Sequence, residues 1–141
     1  MAPTANILVI DDDDALRTAC ISTLMEEDHR VQGAANGEQG LDMIARESFD
    51  VVLVDIKMPG ISGLDVLARI KEDTPTIAVI VITGHGTVNA AVSAMKLGAF
   101  DFLTKPFEPD ALTARVEAAV RTRMQALEDA TLAPALEEEA I

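Results

Sequence analysis

Carboxylates directly follow two short apolar segments of this chain. Four consecutive aspartates, residues 11–14, follow the apolar residues 7–10, and Asp55 follows residues 51–54 in the same way. Unpaired carboxylates that meet at the ends of buried strands repel one another, and this repulsion raises their pKa values. A hard divalent cation removes the conflict, and a site made only of oxygen ligands suits Mg2+. The pattern therefore predicts a magnesium site built from two strand ends.

Three further polar features suit a phosphoryl group beside such a metal. The carboxylate of Asp55 can act as a nucleophile and form an acyl phosphate. Lys105 would supply a positive charge and Thr83 a hydroxyl donor to the oxygens of the transferred group. Gly84 and Gly86 would leave room for that group and let the loop move. These residues together predict phosphoryl transfer to Asp55.

Each of these signals also has a purely structural interpretation. An acidic run at a helix start can serve as a cap and complement the helix dipole. An aspartate after a strand can be a turn residue, and Thr83 and Lys105 can be a plain strand end and a plain loop residue. The functional interpretation therefore depends on their joint placement at the ends of strands.

The chain alternates apolar strands with amphipathic helices, and this alternation predicts how those residues are positioned. Asp13 or Asp14 can cap the first helix, residues 36 and 37 open the second, and Gly98 ends the fourth. The predicted strands are residues 7–10, 30–35, 50–55, 77–82 and 100–103. Five such units predict an α/β protein with a flavodoxin-like (βα)5 three-layer sandwich and a parallel sheet in the order 2-1-3-4-5. The predicted site lies beyond the carboxyl ends of these strands, where strands one and three are neighbours.

Composition limits the class of protein. A chain of 141 residues with about half apolar residues is expected to be one globular domain. Its net charge of −13 argues against direct nucleic-acid binding, and its apolar runs are too short to cross a membrane. Residues 1–6 do not have the pattern of an export signal, so we expect a cytoplasmic protein. The single cysteine, Cys20, is expected to be a buried helix residue.

The motifs together resemble a known family. The residues 7–12, Asp55 within residues 53–60, Thr83, and residues 105–107 resemble the CheY-like receiver domain of two-component response regulators. This resemblance covers about residues 5–122. Residues 82–86 and 98–102 are similar to receivers of sigma-54-dependent transcriptional activators.

The resemblance implies a role for each site residue. Asp55 would be the phosphoacceptor, supplied by a sensor histidine kinase. The implied magnesium ligands are Asp11, partly through water, Asp12, Asp55 and the backbone carbonyl of Lys57. The implied phosphoryl contacts are Thr83, Gly84 and Lys105. Thr83 and Phe102 would form the switch, Lys105 and Pro106 would be joined by a cis peptide bond, and Lys57 and His85 would tune the phosphoryl lifetime.

The span of the resemblance and the looser hydrophobic pattern after residue 121 together divide the chain. Residues 1–122 would be the receiver, and residues 123–141 a helical extension or linker with a frayed end. The resemblance also implies a set of partners. The downstream partner would be an output domain or protein, with a homodimer formed on activation and no direct contact with nucleic acid or membrane. The chain would be a signalling module and not an enzyme, apart from its own phosphorylation and dephosphorylation.

Two alternatives remain open at this level. The first is a phosphatase similar to the haloacid dehalogenases, with Asp11 as its nucleophile, because that superfamily also places an Asp-x-Asp motif after an apolar strand. The second is a receiver-like interaction module that is never phosphorylated.

Overall fold

The computed structural model describes residues 4–84 and 88–140, and strands and helices alternate along them. The elements are β1 Asn6–Ile10, α1 Asp14–Met25, β2 Arg30–Ala34, α2 Gly37–Arg46, β3 Val51–Asp55, α3 Gly63–Asp73, β4 Ala78–Thr83, α4 Val88–Lys96, β5 Asp101–Thr104 and α5 Pro109–Ala140. Every strand end lies within one residue of its predicted position. The sequence prediction of five strand–helix units is therefore confirmed.

The strands form one parallel sheet in the order β2-β1-β3-β4-β5, as predicted. Ile10 is in register with Val54, and Asp55 is in register with Ile82. Thr83 in turn is paired with Thr104. The carboxyl ends of four neighbouring strands therefore meet at one edge, which we call the carboxyl edge of the sheet.

The sheet separates two apolar layers. One face packs against α1 and α5, with Ile7, Leu53 and Val116 among its buried residues. The other face packs against α2, α3 and α4, with Leu8 and Val54 among its buried residues. Because both faces are covered, the central strands β3 and β4 are apolar along their length and interrupted by polar residues only at their carboxyl ends.

Side chains that accept hydrogen bonds begin three of the helices. The carboxylate of Asp13 accepts from the Leu16 amide at 3.1 Å, so Asp13 rather than Asp14 is the N-cap of α1. Asn36 and Ser62 cap α2 and α3 in the same way. These caps satisfy amide groups that the first helical turn leaves without a partner. They also fix where the loops after β1, β2 and β3 end.

The last helix runs past the predicted domain boundary. Helix α5 is continuous from Pro109 to Ala140, so no break in the helix marks residues 122 and 123. Just beyond this point, the Arg123 guanidinium forms an ion pair with Asp50, with Nε 2.9 Å from Oδ1. It also donates a hydrogen bond to the Thr76 carbonyl. The contact fixes α5 to the starts of β3 and β4, and the division of the chain at residue 122 stays a prediction.

The lone cysteine lies where the sequence places it. Cys20 is 2% exposed in the layer between α1 and the sheet. Burial raises the pKa of its thiol to about 11, so the thiolate that would make it reactive is disfavoured at neutral pH.

We expect Gly63→Ala to destabilise the protein by about 1–3 kcal/mol. A Cβ on Gly63 would overlap the Asp55 carbonyl oxygen and lie 2.7 Å from the Ile56 Cα. These are backbone atoms, so no side-chain rotation relieves the overlap. Urea unfolding measures the change. Gly33→Ala is the matched control, because its Cβ meets only side-chain atoms of Ile21 and Arg17. Equal losses in the two variants would contradict the prediction.

Candidate functional site

Three carboxylates converge at the carboxyl edge of the sheet. Asp11 and Asp12 follow β1, and Asp55 ends β3. Each of the three offers a ligand oxygen that lies within 4.8 Å of the other two. Asp11 is fully buried and Asp55 is 6% exposed, while Asp12 is exposed. The predicted convergence of these carboxylates is therefore confirmed.

A lysine from the far side of the sheet reaches the same carboxylates. The Lys105 ammonium lies 2.9 Å from Asp55 Oδ2 and 3.7 Å from Asp11 Oδ2. The Lys105 amide donates to the Thr83 carbonyl at 2.7 Å, so the chain after β5 is fixed to the end of β4. Burial lowers the pKa of Lys105, but its bond to Asp55 and the neighbouring negative charges outweigh burial and raise it. Lys105 therefore stays protonated beside the acidic cluster.

Loop amides hold one oxygen of each buried carboxylate. The amide of Asp13 donates to Asp11 Oδ1 at 2.9 Å. The amide of Lys57 donates to Asp55 Oδ1 at 3.2 Å. These bonds fix how the carboxylates are turned. In both residues the second oxygen, Oδ2, is left on the side of Lys105.

The surroundings of Asp11 disfavour the charged form of its carboxyl group. Burial, with the nearby Asp55 charge, raises the pKa of Asp11 to about 6, although the Asp13 amide and Lys105 lower it. Asp11 Oδ2 is buried and accepts no hydrogen bond from the side chains and backbone that the structure describes. A buried carboxylate oxygen with no donor is costly. The site therefore fits a hard divalent cation with oxygen ligands.

The predicted phosphoryl contacts lie at the end of β4. Thr83 is 3% exposed, and its hydroxyl donates to the Leu103 carbonyl at 3.4 Å, which is long for such a bond. A Cβ on Gly84 would meet none of the described atoms within 4 Å, so there is space beside this residue. His85 and Gly86 lie outside the described residues.

The other predicted residues lie on β5 and just after it. Phe102 is 37% exposed, while its neighbour Leu103 is buried in the core. Phe102 therefore lies on the outer surface, on the strand next to the one that Thr83 ends. The peptide bond between Lys105 and Pro106 is cis.

The sequence analysis did not identify Arg17. Its guanidinium donates to the Asp11 carbonyl at 2.7 Å and to Asp14 Oδ1 at 2.5 Å. It thus joins the end of β1 to the start of α1 across the loop that carries Asp12. The spacing of Asp14 and Arg17, three residues apart at a helix start, indicates the ion pair between them. No pattern in the sequence indicates the bond to the Asp11 carbonyl.

A family model and curated relatives match this chain. The model described as the response regulator receiver domain matches residues 7–117. The transcriptional regulatory protein FixJ of Bradyrhizobium diazoefficiens is 42% identical over 86% of this chain, which spans 59% of FixJ. The DNA-binding transcriptional regulator NtrC of Escherichia coli is 40% identical over 81% of this chain, which spans 24% of NtrC. The chain thus covers less than two thirds of these relatives.

Solved structures are similar to this one over most of the chain. The crystal structure of NtrX from Brucella abortus in complex with ADP has a TM-score of 0.89 and 35% identity, with 92% of this chain and 30% of that one covered. The crystal structure of the NtrX receiver domain alone has a TM-score of 0.80 and 36% identity, with 82% of this chain and 98% of that one covered. Within the described part of the chain, no helix is both long enough and apolar enough to cross a bilayer.

We expect Asp11→Asn to stabilise the metal-free protein at pH 7.5 by about 1–3 kcal/mol. The folded protein holds the Asp11 proton more tightly than the unfolded chain does, because the pKa is raised from 3.8 to about 6. The wild-type free energy of unfolding should therefore fall as pH rises from about 4 to about 6, and the Asp11 contribution should be constant above that. Urea unfolding in a chelating buffer at several pH values measures both effects.

The control for this prediction is Asp12→Asn. It removes the same charge from the exposed member of the cluster. We expect a clearly smaller gain, because an exposed carboxylate does not bear the cost of burial. Equal gains in both variants would mean that general charge relief, and not the burial of Asp11, is responsible.

Proposed function

Because this chain belongs to the response regulator receiver domain family, we propose that it accepts a phosphoryl group on Asp55 from a sensor histidine kinase and signals through a change of its surface. One observation supports this assignment above the others. The Asp55 carboxylate lies between the Lys105 ammonium at 2.9 Å and the carboxylates of Asp11 and Asp12. A nucleophile, a cation and a metal-binding pair thus share one edge of the sheet.

Asp55 would be the nucleophile. The Lys57 amide holds Oδ1 and Lys105 holds Oδ2, so the carboxylate has a fixed orientation at the end of a rigid strand. A bond would form between an Asp55 oxygen and phosphorus, and the bond from phosphorus to the donor histidine nitrogen would break. The donor nitrogen keeps the electron pair of the broken bond.

Asp11, Asp12, Asp55 and the Lys57 carbonyl would hold Mg2+. The buried Asp11 Oδ2, which has no hydrogen-bond donor among the described residues, supports this ligand set. When bound, the ion supplies positive charge that offsets the carboxylates and attracts phosphoryl oxygens. Arg17 would keep the loop between β1 and α1 in place, because it holds the Asp11 carbonyl at 2.7 Å.

Lys105 and the end of β4 would contact the phosphoryl group. The Lys105 ammonium would exchange its contact with Asp55 Oδ2 for one with a phosphoryl oxygen. The Thr83 hydroxyl would donate to another oxygen, and the space beside Gly84 would admit the group. Charge-assisted bonds of this kind contribute about 1.5–3 kcal/mol each.

The same bonds would drive the switch. Thr83 holds the Leu103 carbonyl by a bond of 3.4 Å, so little is lost when its hydroxyl turns to the phosphoryl group. Movement of Thr83 would leave room for the ring of Phe102, which is now 37% exposed. A shift from 1:99 to 99:1 requires about 5.5 kcal/mol of differential stabilisation, which two or three such bonds can supply. The surface formed by α4, β5 and α5 would then change shape for its target.

The partners follow from the family and from the names of the relatives. We infer that the chain serves a transcriptional output, carried by an attached domain or by a separate protein, because FixJ and NtrC are named as transcriptional regulators. Residues 123–141 would link the receiver to that output, and activation would favour a homodimer. The same proposal has three further parts. The chain would be a receiver similar to those of sigma-54-dependent activators, its role would be signalling rather than enzymatic, and its compartment would be the cytoplasm.

We expect Asp55→Asn to abolish labelling by radioactive acetyl phosphate in the presence of Mg2+, because the amide is not a nucleophile for phosphorus. Labelling of the wild type should also be lost in excess chelator. Asp42→Asn, which removes an exposed carboxylate on α2, should be labelled like the wild type. Stoichiometric labelling of Asp55→Asn would contradict the assignment. Turnover of phosphomonoesters that is lost in Asp11→Asn but kept in Asp55→Asn would support the phosphatase alternative.

We expect Thr83→Ala to separate phosphoryl acceptance from signalling. The variant keeps Asp55 and its metal ligands, so acetyl phosphate should still label it. Beryllofluoride with Mg2+ should shift the amide resonances of α4 and β5 in the wild type but much less in the variant. Thr104→Ala is the matched control, because Thr104 is the exposed register partner of Thr83 on β5. A full response in Thr83→Ala would contradict the switch.

A further inference from the structure

A second group of charges lies at the opposite edge of the sheet, far from the candidate phosphorylation site. There, an open cavity of about 490 Å3 lies between the end of α3, the start of β4, the turn before β5 and the outer part of α5. The cations of Lys71 and Arg123 line it, together with the apolar side chains of Ile77, Phe100 and Leu127. The proposed phosphoryl transfer uses none of these residues.

Among the side chains that the structure describes, none is a counter-ion of Lys71. Its ammonium donates to the Ile77 carbonyl at 2.6 Å and to the Pro75 carbonyl at 3.2 Å. None of the carboxylates whose side chains the structure describes forms an ion pair with it. Burial, followed by the neighbouring Arg123 charge, lowers the pKa of Lys71. Lys71 therefore has a neighbour of the same charge, as the carboxylates at the carboxyl edge do.

Asp50, the ion-pair partner of Arg123, is not available to Lys71, because both of its carboxylate oxygens already accept hydrogen bonds. The Asp50 carboxylate balances Arg123 at 2.9 Å with one oxygen and accepts from the Asn6 amide at 2.9 Å with the other. The remaining bond of Arg123 goes from Nη1 to the Thr76 carbonyl. One N–H of Lys71, one N–H of Arg123 Nη1 and the Nη2 group of Arg123 are therefore donors that no hydrogen bond of the described residues uses.

The rest of the cavity is mostly apolar, although Thr76 and Thr122 also line it. The chain beyond Arg123 adds Ala126 and Leu127, and Leu127 is 39% exposed. Phe100 is half-buried on the other side. Apolar walls with a few convergent polar groups, in a volume between about 300 and 1,000 Å3, are typical of small-molecule sites.

We propose that this cavity binds a small monocarboxylate with a short apolar tail. The carboxylate offers one oxygen to the Lys71 ammonium and one to Arg123 Nη2, and the tail lies against Phe100 and Leu127. An anion relieves the charge conflict at Lys71, and the free donors of Lys71 and Arg123 can each serve one of the two oxygens of a carboxylate. The proposal is independent of phosphorylation at Asp55, because it concerns residues of the other edge.

An NMR titration of the whole chain with hexanoate, compared with 1-hexanol, tests the proposal. We expect hexanoate to give saturable amide shifts at Ile77, Ala99 and Phe100. The alcohol should bind about tenfold more weakly or not at all, because it has the same tail without the charge. The same resonances should stay unchanged when hexylamine is added.

Lys71→Gln is the test variant, because Lys71, unlike Arg123, holds no carboxylate that its loss would leave unpaired. We expect about tenfold weaker binding of hexanoate by Lys71→Gln and near-normal binding by Lys71→Arg. Arg69→Gln on the exposed side of α3 is the matched control and should bind like the wild type. Thermal unfolding confirms that each variant is folded. Absence of saturable shifts, equal binding of 1-hexanol, or unchanged binding by a folded Lys71→Gln would overturn the proposal.

Discussion

The contact between Lys105 and Asp55 is the interaction on which the carboxyl edge depends. Three carboxylates meet there, two of them buried, and Lys105 is the cation that forms ion pairs with both buried ones in the described part of the chain. Burial and the neighbouring Asp55 charge raise the pKa of Asp11, and Lys105 offsets this only in part. The fold therefore brings carboxylates together at a cost, and a bound cation would offset that cost.

Most of the fold and of this site is predictable because the order of strands decides both. The apolar runs give the strands, and a parallel sheet in the order 2-1-3-4-5 brings the residue after each run to the same edge. Asp11, Asp55, Thr83 and Lys105 are such residues, so their convergence follows from topology without knowledge of side-chain geometry. Pairing across long sequence separations is different, because no periodicity encodes it. The bonds of Arg17 to the Asp11 carbonyl and of Arg123 to Asp50 are of this kind.

The cap of α1 and the extent of α5 were predictable only in part, because both depend on geometry that the sequence pattern does not encode. Asp13 and Asp14 are equally good caps by residue type, and backbone geometry selects Asp13. The predicted boundary at residue 122 follows from the looser hydrophobic pattern beyond it, but a helix that has formed propagates at low cost through such a stretch, especially where a tertiary contact supports it. Arg123 provides such support, since it holds α5 against the base of β3 and β4. The contacts of Arg123 thus support the helix just beyond residue 122, where the sequence pattern places the boundary.

The contacts of Arg123 with Asp50 and the Thr76 carbonyl hold α5 at one point, so the part of the helix beyond Arg123 can act as a lever. Arg123 fixes the helix at the base of the sheet, and seventeen residues, from Met124 to Ala140, extend past it. At about 1.5 Å per residue, this arm is roughly 25 Å long. A rotation of α5 by a few degrees about Arg123 therefore moves the far end of the helix by more than an ångström, whereas residues near Arg123 barely move. Small rearrangements of the sheet would in this way become larger displacements along the outer part of α5.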